Sequence, residues 1–275
     1  MSNIIFCFSG TGNSLAVASS VAEKLKKTEV VSLLTLREHK SIPAACERAG
    51  FVFPCSYGHP PPIVTDLVKD LRLDGNPGIF IIVTYAGRYG FALSDMKKLL
   101  QPRTGSPVQG FSVQMPGNHI VGYSAYSEAR QRGLFEAARA KTVKIADSIQ
   151  QNVPADIKDA GSLKRSFMDR MTGLVNRALG IKDIWQTQAA FFTTAACVHC
   201  GVCQRLCPAE NIRVSSDGVA FGNRCQQCMA CIQWCPQKAI SHPNVPSHRS
   251  YYHHPDITLE DMLCGAHSTV DRERE

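Results

Sequence analysis

Eight of the chain's 12 cysteines lie between Cys197 and Cys235, in two groups of four with identical spacing. Cys197-VH-Cys200-GV-Cys203-QRL-Cys207-Pro208 is repeated as Cys225-QQ-Cys228-MA-Cys231-IQW-Cys235-Pro236, an internal duplication. Thiolates at this density read as metal ligands, and such soft donors suit iron-sulfur cores. CxxC pairs also hold zinc, but one zinc ion is satisfied by four ligands, and here two complete sets each end in proline. His199, inside the first group, reads as a surface residue: a Rieske-type centre needs two histidines in place of cysteines, and every cysteine position is filled. Structural disulfides are the weakest reading. The N-terminus MSNIIFCFSG lacks the features of a signal peptide, so a reducing cytoplasmic setting is expected.

The second chemical feature is the loop Ser9-Gly10-Thr11-Gly12-Asn13-Ser14. Its small residues let backbone N–H groups close around an anion at a helix N-terminus, while hydroxyls donate to phosphate oxygens. A P-loop would end in GKS or GKT and a dinucleotide fingerprint would read GxGxxG; neither is present. A phosphate held by hydroxyls and amides alone suits a terminal monoester. The competing reading is an ordinary turn and helix cap.

These residues need elements to hold them. Residues 3 to 8, NIIFCF, form a short apolar run before the loop, and LAVASSVAEKLKK after it has helical periodicity. The alternation recurs: EVVSLL at 29 to 34, AGFVFP at 49 to 54 before PPIVTDLVKDL, and GIFIIVTYA at 78 to 86 before FALSDMKKLL. A fifth run, PVQGFSVQMP, precedes the helical stretch SEARQRGLFEAARAKTVKIADSIQQ. Continuously apolar strands separated by helices predict an α/β domain with a five-stranded, doubly wound parallel sheet.

With these elements in view, SGTGNS resembles the phosphate loop of flavodoxins, with hydroxyl residues at its first, third and sixth positions. That resemblance implies FMN lying beyond the carboxyl ends of the strands at the topological switch point. The loops after the third and fourth strands then meet the ring. The first brings Pro54, Cys55, Ser56, Tyr57 and Gly58, and the second Thr84, Tyr85, Ala86, Gly87, Tyr89 and Gly90. Tyr57 and either Tyr85 or Tyr89 would stack on the flavin, and the glycines permit close backbone approach. Cys55 reads as a small buried hydrophobe beside the ring rather than a reactive thiol, and Cys7 as core.

The cysteine half resembles bacterial two-cluster ferredoxins, a smaller α+β fold. In their pattern three closely spaced thiolates cap one cubane and the fourth crosses to the other. The resemblance therefore implies one 4Fe-4S cluster on Cys197, Cys200, Cys203 and Cys235, and a second on Cys225, Cys228, Cys231 and Cys207. Between Ala196 and Ser241 four basic residues face two acidic ones, so the acidic surface of many soluble ferredoxins is missing.

Over nearly its full length the chain resembles the fused flavodoxin/ferredoxin proteins of anaerobic bacteria and archaea. QMPGNHI at 114 to 120 is similar to that family's MPxNY element, with Asn118 toward the flavin and His119 in place of the tyrosine. RSYYHHPDITLEDM at 249 to 262 is similar to its C-terminal element; His253 and His254 there read as packing and surface residues rather than a metal site.

At 275 residues, with 44% hydrophobic and 19% charged composition, two well-packed domains are expected. The divisions are 1–151 for the flavodoxin-like domain, 152–190 for a linker and connecting helix, 191–245 for the two-cluster domain, and 246–275 for a tail. The connecting helix, LKRSFMDRMTGLVNRAL, reads as interdomain packing in preference to a membrane-surface helix. A net charge of +7 falls to roughly +1 once each cluster contributes about 2− and the FMN phosphate about 2−. Nucleic acid is accordingly not an expected partner, and no apolar run is long enough for a membrane span. A separate redox protein is the expected partner, and a homodimer is an expected assembly. The function expected is electron transfer between the clusters and FMN. The alternative is a self-contained reductase of a small acceptor such as a quinone or corrinoid.

Overall fold

The computed structural model describes residues 2–153 and 190–266. The first half contains β1 (Ser2–Cys7), α1 (Asn13–Leu25), β2 (Thr28–Ser32), β3 (Ser41–Ile42), β4 (Cys46–Pro54), α2 (Pro62–Val68), β5 (Arg72–Leu73), β6 (Gly78–Tyr85), α3 (Ala92–Leu100), β7 (Gln109–Gln114) and α4 (Glu128–Gln150). Five strands form one sheet in the order β2-β1-β4-β6-β7, and every pairing is parallel. Counted among these five alone, that order is 2-1-3-4-5, the flavodoxin-like doubly wound arrangement. The short strands β3 and β5 pair separately.

Strand alternation explains how both faces are covered. Ile5, Cys7, Val52, Phe80, Ile82 and Val113 point to one side and pack beneath α1 and α4. Phe6, Phe51, Phe53, Ile79, Ile81 and Val83 point to the other, against α2 and α3. A strand buried on both sides has no polar face to show, so the strand runs read as continuously apolar. Gly50 of β4 has a packing reason: it pairs with Phe80 on β6, and a Cβ there would stand 2.2 Å from the Phe80 ring.

The second half contains β8 (Phe192–Thr193), α5 (Val202–Leu206), β9 (Ile212–Ser215), β10 (Gly218–Phe221), α6 (Ala230–Gln233), β11 (Ile240–Ser241) and α7 (Leu259–Ala266). The sequence duplication is also a duplication of backbone. His199, Gly201 and Glu210 have positive φ, as do Gln227, Met229 and Lys238, which are their counterparts in the second copy. Gly201 and Met229 each start a short helix from the left-handed region, α5 and α6. The strand pairings repeat too: Thr193 opposite Ile240 matches Phe221 opposite Ile212. The connecting helix expected over 163 to 179 lies outside the described residues, as does all but the first two residues of the linker.

Residues 249–266, expected as part of a tail, lie across the first half. Tyr252, His254 and Met262 are buried, and the His254 amide donates to the Thr11 carbonyl at 2.8 Å. Met262 on α7 joins Val202, Leu206, Ala230 and Trp234 in one apolar cluster.

Gly50→Ala is expected to overpack the sheet against Phe80 and to cost about 1–3 kcal/mol. Urea denaturation of the purified chain measures this; an unchanged midpoint would show that the Phe80 ring moves aside freely.

Candidate functional site

A cleft of about 250 Å³ opens beyond the carboxyl ends of β1, β4 and β6. Its position follows from topology: the chain runs outward from β1 to β2, then returns to the other side of β1 as β4, leaving a crevice where the direction reverses. Ser9, Gly10, Thr11, Asn13 and Ser14 form its floor. Pro54, Cys55, Ser56 and Tyr57 supply one wall, and Thr84, Tyr85, Ala86 and Asn118 another.

The floor is built to give protons. Gly12, at φ 91, caps α1 with no side-chain partner for the helix amides, and the first turn of α1 has no acidic residue. Positive potential at this helix end is therefore unanswered by the helix itself. Ser9 Oγ accepts from the Gly12 amide at 3.1 Å, and Thr11 Oγ1 accepts from Asn118 Nδ2 at 3.0 Å. A hydroxyl that accepts in this way keeps its proton for another acceptor. Ser14 Oγ lies 2.8 Å from Thr84 Oγ1; one hydrogen joins them, and the other is left to give. Thr11 and Ser14 are each 1% exposed, so these donors are already desolvated.

The remaining expected residues fall outside the lining. Gly58, at φ 89, and Gly90, at φ 52, lie backbone to backbone, and a Cβ on Gly90 would meet the Gly58 carbonyl oxygen at 2.4 Å. Tyr89 meets Tyr85 edge-on with centroids 5.2 Å apart, so Tyr85 is the one that reaches the cleft. A Cβ on Gly87 would meet nothing within 4 Å, whereas one on Gly12 would press against His254 and Ile257. Burial pushes the Cys55 thiol up to about 11, against an opposing bond from the Gly58 backbone, which favours the neutral thiol near pH 7. Cys7 is buried in the core.

Six further residues line the cleft: Met115, Pro116, Gly117, His119, Tyr123 and Gln227. Four belong to the QMPGNHI segment, whose motif was visible. Gln227 lies between Cys225 and Cys228, and nothing in the chain's local pattern connects it to the first half. The Tyr57 hydroxyl donates to Gln227 Oε1 at 2.8 Å and lies 3.0 Å from His119 Nε2. Burial lowers the His119 pKa, with a bond to Gln227 acting the other way. Tyr123 has no sequence signal; it packs over Gly117, where a Cβ would meet its hydroxyl at 2.4 Å.

The cysteines sort in space across the duplication. Cys197, Cys200, Cys203 and Cys235 all line one small cavity. Burial raises the Cys203 pKa to about 11, a bond from the Gln204 backbone opposes this, and Cys200, Cys235 and Cys197 add to the rise. Burial lifts Cys228 to about 12, a bond from the Ala230 backbone opposes this, and Cys207 and Cys225 add to the rise. Cys231 is pushed well up by burial and then by Cys228, Cys225, Cys207 and Cys203, so two thiols of the first group, Cys207 and Cys203, lie near the second. Each crossing cysteine accepts a backbone N–H at its sulfur: Asn211 to Cys207 and Ala239 to Cys235, both at 3.2 Å. Among the described residues no three His, Cys, Asp or Glu side chains are set to hold a single metal ion. A cubane asks for a wider spacing, because each thiolate binds its own corner iron.

His199 is exposed. His253 stacks on Trp234 at 4.1 Å and His254 packs on Phe135 at 4.7 Å, which gives both the packing roles expected of them. Among the described residues no helix is long and apolar enough to cross a membrane.

No protein-family model matches the chain, and no curated protein does. Several solved structures resemble about half of it. The two-electron reduced flavodoxin of Megasphaera elsdenii is 19% identical over 51% of this chain and 99% of its own, with a TM-score of 0.33. A flavodoxin from the domain Archaea is 16% identical over 55% of this chain and 99% of its own, at 0.34. The Trp repressor binding protein from Bacillus subtilis is 11% identical over 56% of this chain and all, 100%, of its own, at 0.33. Identities this low speak to fold alone, and such TM-scores add nothing to the strand order, which carries the fold assignment.

Tyr252 donates its hydroxyl to Asn13 Oδ1, a buried bond that ties the C-terminal segment to the first turn of α1. Tyr252→Phe strands that acceptor and is expected to cost about 1–3 kcal/mol in denaturant unfolding; a loss below a few tenths would mean water replaces the hydroxyl. His119 and His254 both have pKa values lowered by burial. The unfolded chain therefore takes up their protons first: this contribution to stability is full above about pH 6.5 and falls as pH drops toward the lowered folded values. Thermal melts across pH 7.5 to 5 should show that decline, reduced in a His119→Gln, His254→Gln variant; equal slopes for the two proteins would count against it.

Proposed function

We propose that the chain is an electron-transfer protein of the fused flavodoxin/ferredoxin type, holding FMN in the cleft and two 4Fe-4S clusters on its eight grouped cysteines. The observation that carries this reading is the convergence of Cys235 with Cys197, Cys200 and Cys203 on one cavity, across the duplication, on the flank of a cleft whose floor offers hydrogen-bond donors. FMN exchanges one or two electrons and each cluster one, so together they join one- and two-electron chemistry.

The floor fits a phosphate monoester. Ser9, Thr11 and the Ser14–Thr84 pair offer hydroxyl protons, and the N-terminus of α1 offers amides without a cationic side chain. Tyr57 and Tyr85 supply aromatic faces for the ring. Cys197, Cys200, Cys203 and Cys235 would hold one cluster; Cys207, Cys225, Cys228 and Cys231 would hold the other. In the second half, the repeated hairpin-like pairings around the cysteines support a two-cluster ferredoxin-like domain. A separate redox protein would be donor or acceptor, within a cytoplasmic setting.

One observation favours the alternative, reduction of a small acceptor. Tyr57, His119 and Tyr123 place three groups able to carry protons at the cleft, which a pure electron carrier does not need. In that reading they would orient the acceptor and protonate it.

Anaerobic purification should yield about eight irons and one FMN per chain, with flavin absorption over a broad iron-sulfur shoulder. Stoichiometric zinc without flavin would overturn the reading. Thr11→Val is expected to weaken FMN binding about tenfold, the loss of one charge-assisted hydrogen bond. Cys235→Ala should abolish the EPR signal of the Cys197 cluster and spare that of the Cys225 cluster; the reverse would rule out crossed ligation. Steady turnover with quinones and no partner protein would decide for the reductase.

A further inference from the structure

The loop that carries the second cysteine group is also a wall of the cleft. It is joined to three of the segments that form the rest. At the floor, Gly10 lies against the Cys228 carbonyl so closely that a Cβ would stand 2.1 Å from its oxygen, and Trp234 Nε1 donates to the Gly10 carbonyl at 3.1 Å. Beyond β4, Gln227 accepts from Tyr57, and Gln226 Oε1 accepts from the Ile63 amide at 3.1 Å. Beyond β7, Gln233 Nε2 donates to the Asn118 carbonyl at 2.8 Å, and Asn118 in turn orients Thr11. Among the described residues, none from 197 to 203 lines the cleft.

The two cysteine groups therefore stand in different relations to the cleft, although their loops share one backbone conformation. His199 and Gln227 are equivalent in the repeat, both at positive φ. The histidine is exposed, whereas Gln227 is 6% exposed and lines the cleft. Ordering of the Cys225–Cys231 loop would be felt at the cleft, because the contacts of Gln226, Gln227 and Cys228 transmit it. Linkage requires the converse as well.

We propose that the cleft and the Cys207, Cys225, Cys228 and Cys231 group form one thermodynamic unit, with Gln227 as the positioning residue that couples flavin retention to cluster assembly on that group alone. This rests on the cofactor reading above. Its consequence is that a chain lacking this cluster holds the flavin more weakly than the complete protein.

FMN affinity of the full chain, reconstituted with iron and sulfide under anaerobic conditions, is measured by flavin fluorescence quenching. Cys225→Ser and Gln227→Ala are expected to weaken FMN about tenfold, within the usual range of such couplings. Cys197→Ser, the matched loss of the other group, is expected to change it less than about twofold. Gln227→Asn should restore part of the affinity. Gln227→Glu should make the flavin potential more negative by placing a carboxylate at the cleft, an effect that a purely structural glutamine would not produce. Equal losses in the Cys225 and Cys197 variants, or an unchanged potential in Gln227→Glu, would overturn the coupling. If Cys225→Ser fails to fold, the Gln227 variants, with every cysteine in place, decide. Full FMN binding in all variants removes the coupling and leaves the cofactor reading standing; no FMN binding by the unaltered chain removes both.

Discussion

The contact of Gly10 with the Cys228 carbonyl sets the geometry of everything around it. The first strand of a doubly wound sheet ends in a loop whose height above the sheet is fixed by the turn into α1. Here that loop lies directly beneath a second folded unit, and only a residue without a Cβ leaves room for the carbonyl above it. Trp234 secures the approach by donating to the Gly10 carbonyl. The C-terminal segment closes the other side, with the His254 amide on the Thr11 carbonyl and Tyr252 on Asn13. The anion-type cradle is thus clamped from two directions before any ligand arrives, and a preorganised site spends less on ordering its donors.

The duplicated half shows how identical local structure acquires unlike environments. Positions 28 apart share left-handed backbone, sulfur-accepted amides and strand pairing. In one copy a glycine occupies the left-handed helix start, while in the other Met229 does so at φ 64 and is buried. That strain is tolerated where packing compensates for it. Docking against the first half breaks the symmetry: one cysteine loop stays at the surface, with Val198 62% exposed, and the other becomes part of a wall.

How far the chain could be read without coordinates depended on the range of the interactions. The five strands of the main sheet and the four helices of the first half were legible, because burial on both sheet faces leaves continuous apolar runs and the helices keep their own period; the two-residue strands β3 and β5 were not. Most of the cleft lining was legible for the same reason: topology puts the ends of β1, β4 and β6 at one crevice. The choice between Tyr85 and Tyr89 was not, since both lie in one loop and only packing turns the second away from the cleft. Tyr123 had no pattern to reveal it.

By itself the sequence determined the parallel α/β sheet, the hydroxyl-bearing loop after its first strand, and two repeated sets of cysteines. Each depends on local periodicity or on spacing along the chain. Only the tertiary structure decided which cysteine loop meets the cleft, that Gln227 and His119 share a hydrogen-bonded group with Tyr57, and that residues 249–266 lie across α1 rather than trailing free. These are hydrogen bonds between residues 62 to 239 positions apart, chosen by shape and hydrogen-bond matching, and no local pattern encodes such a match.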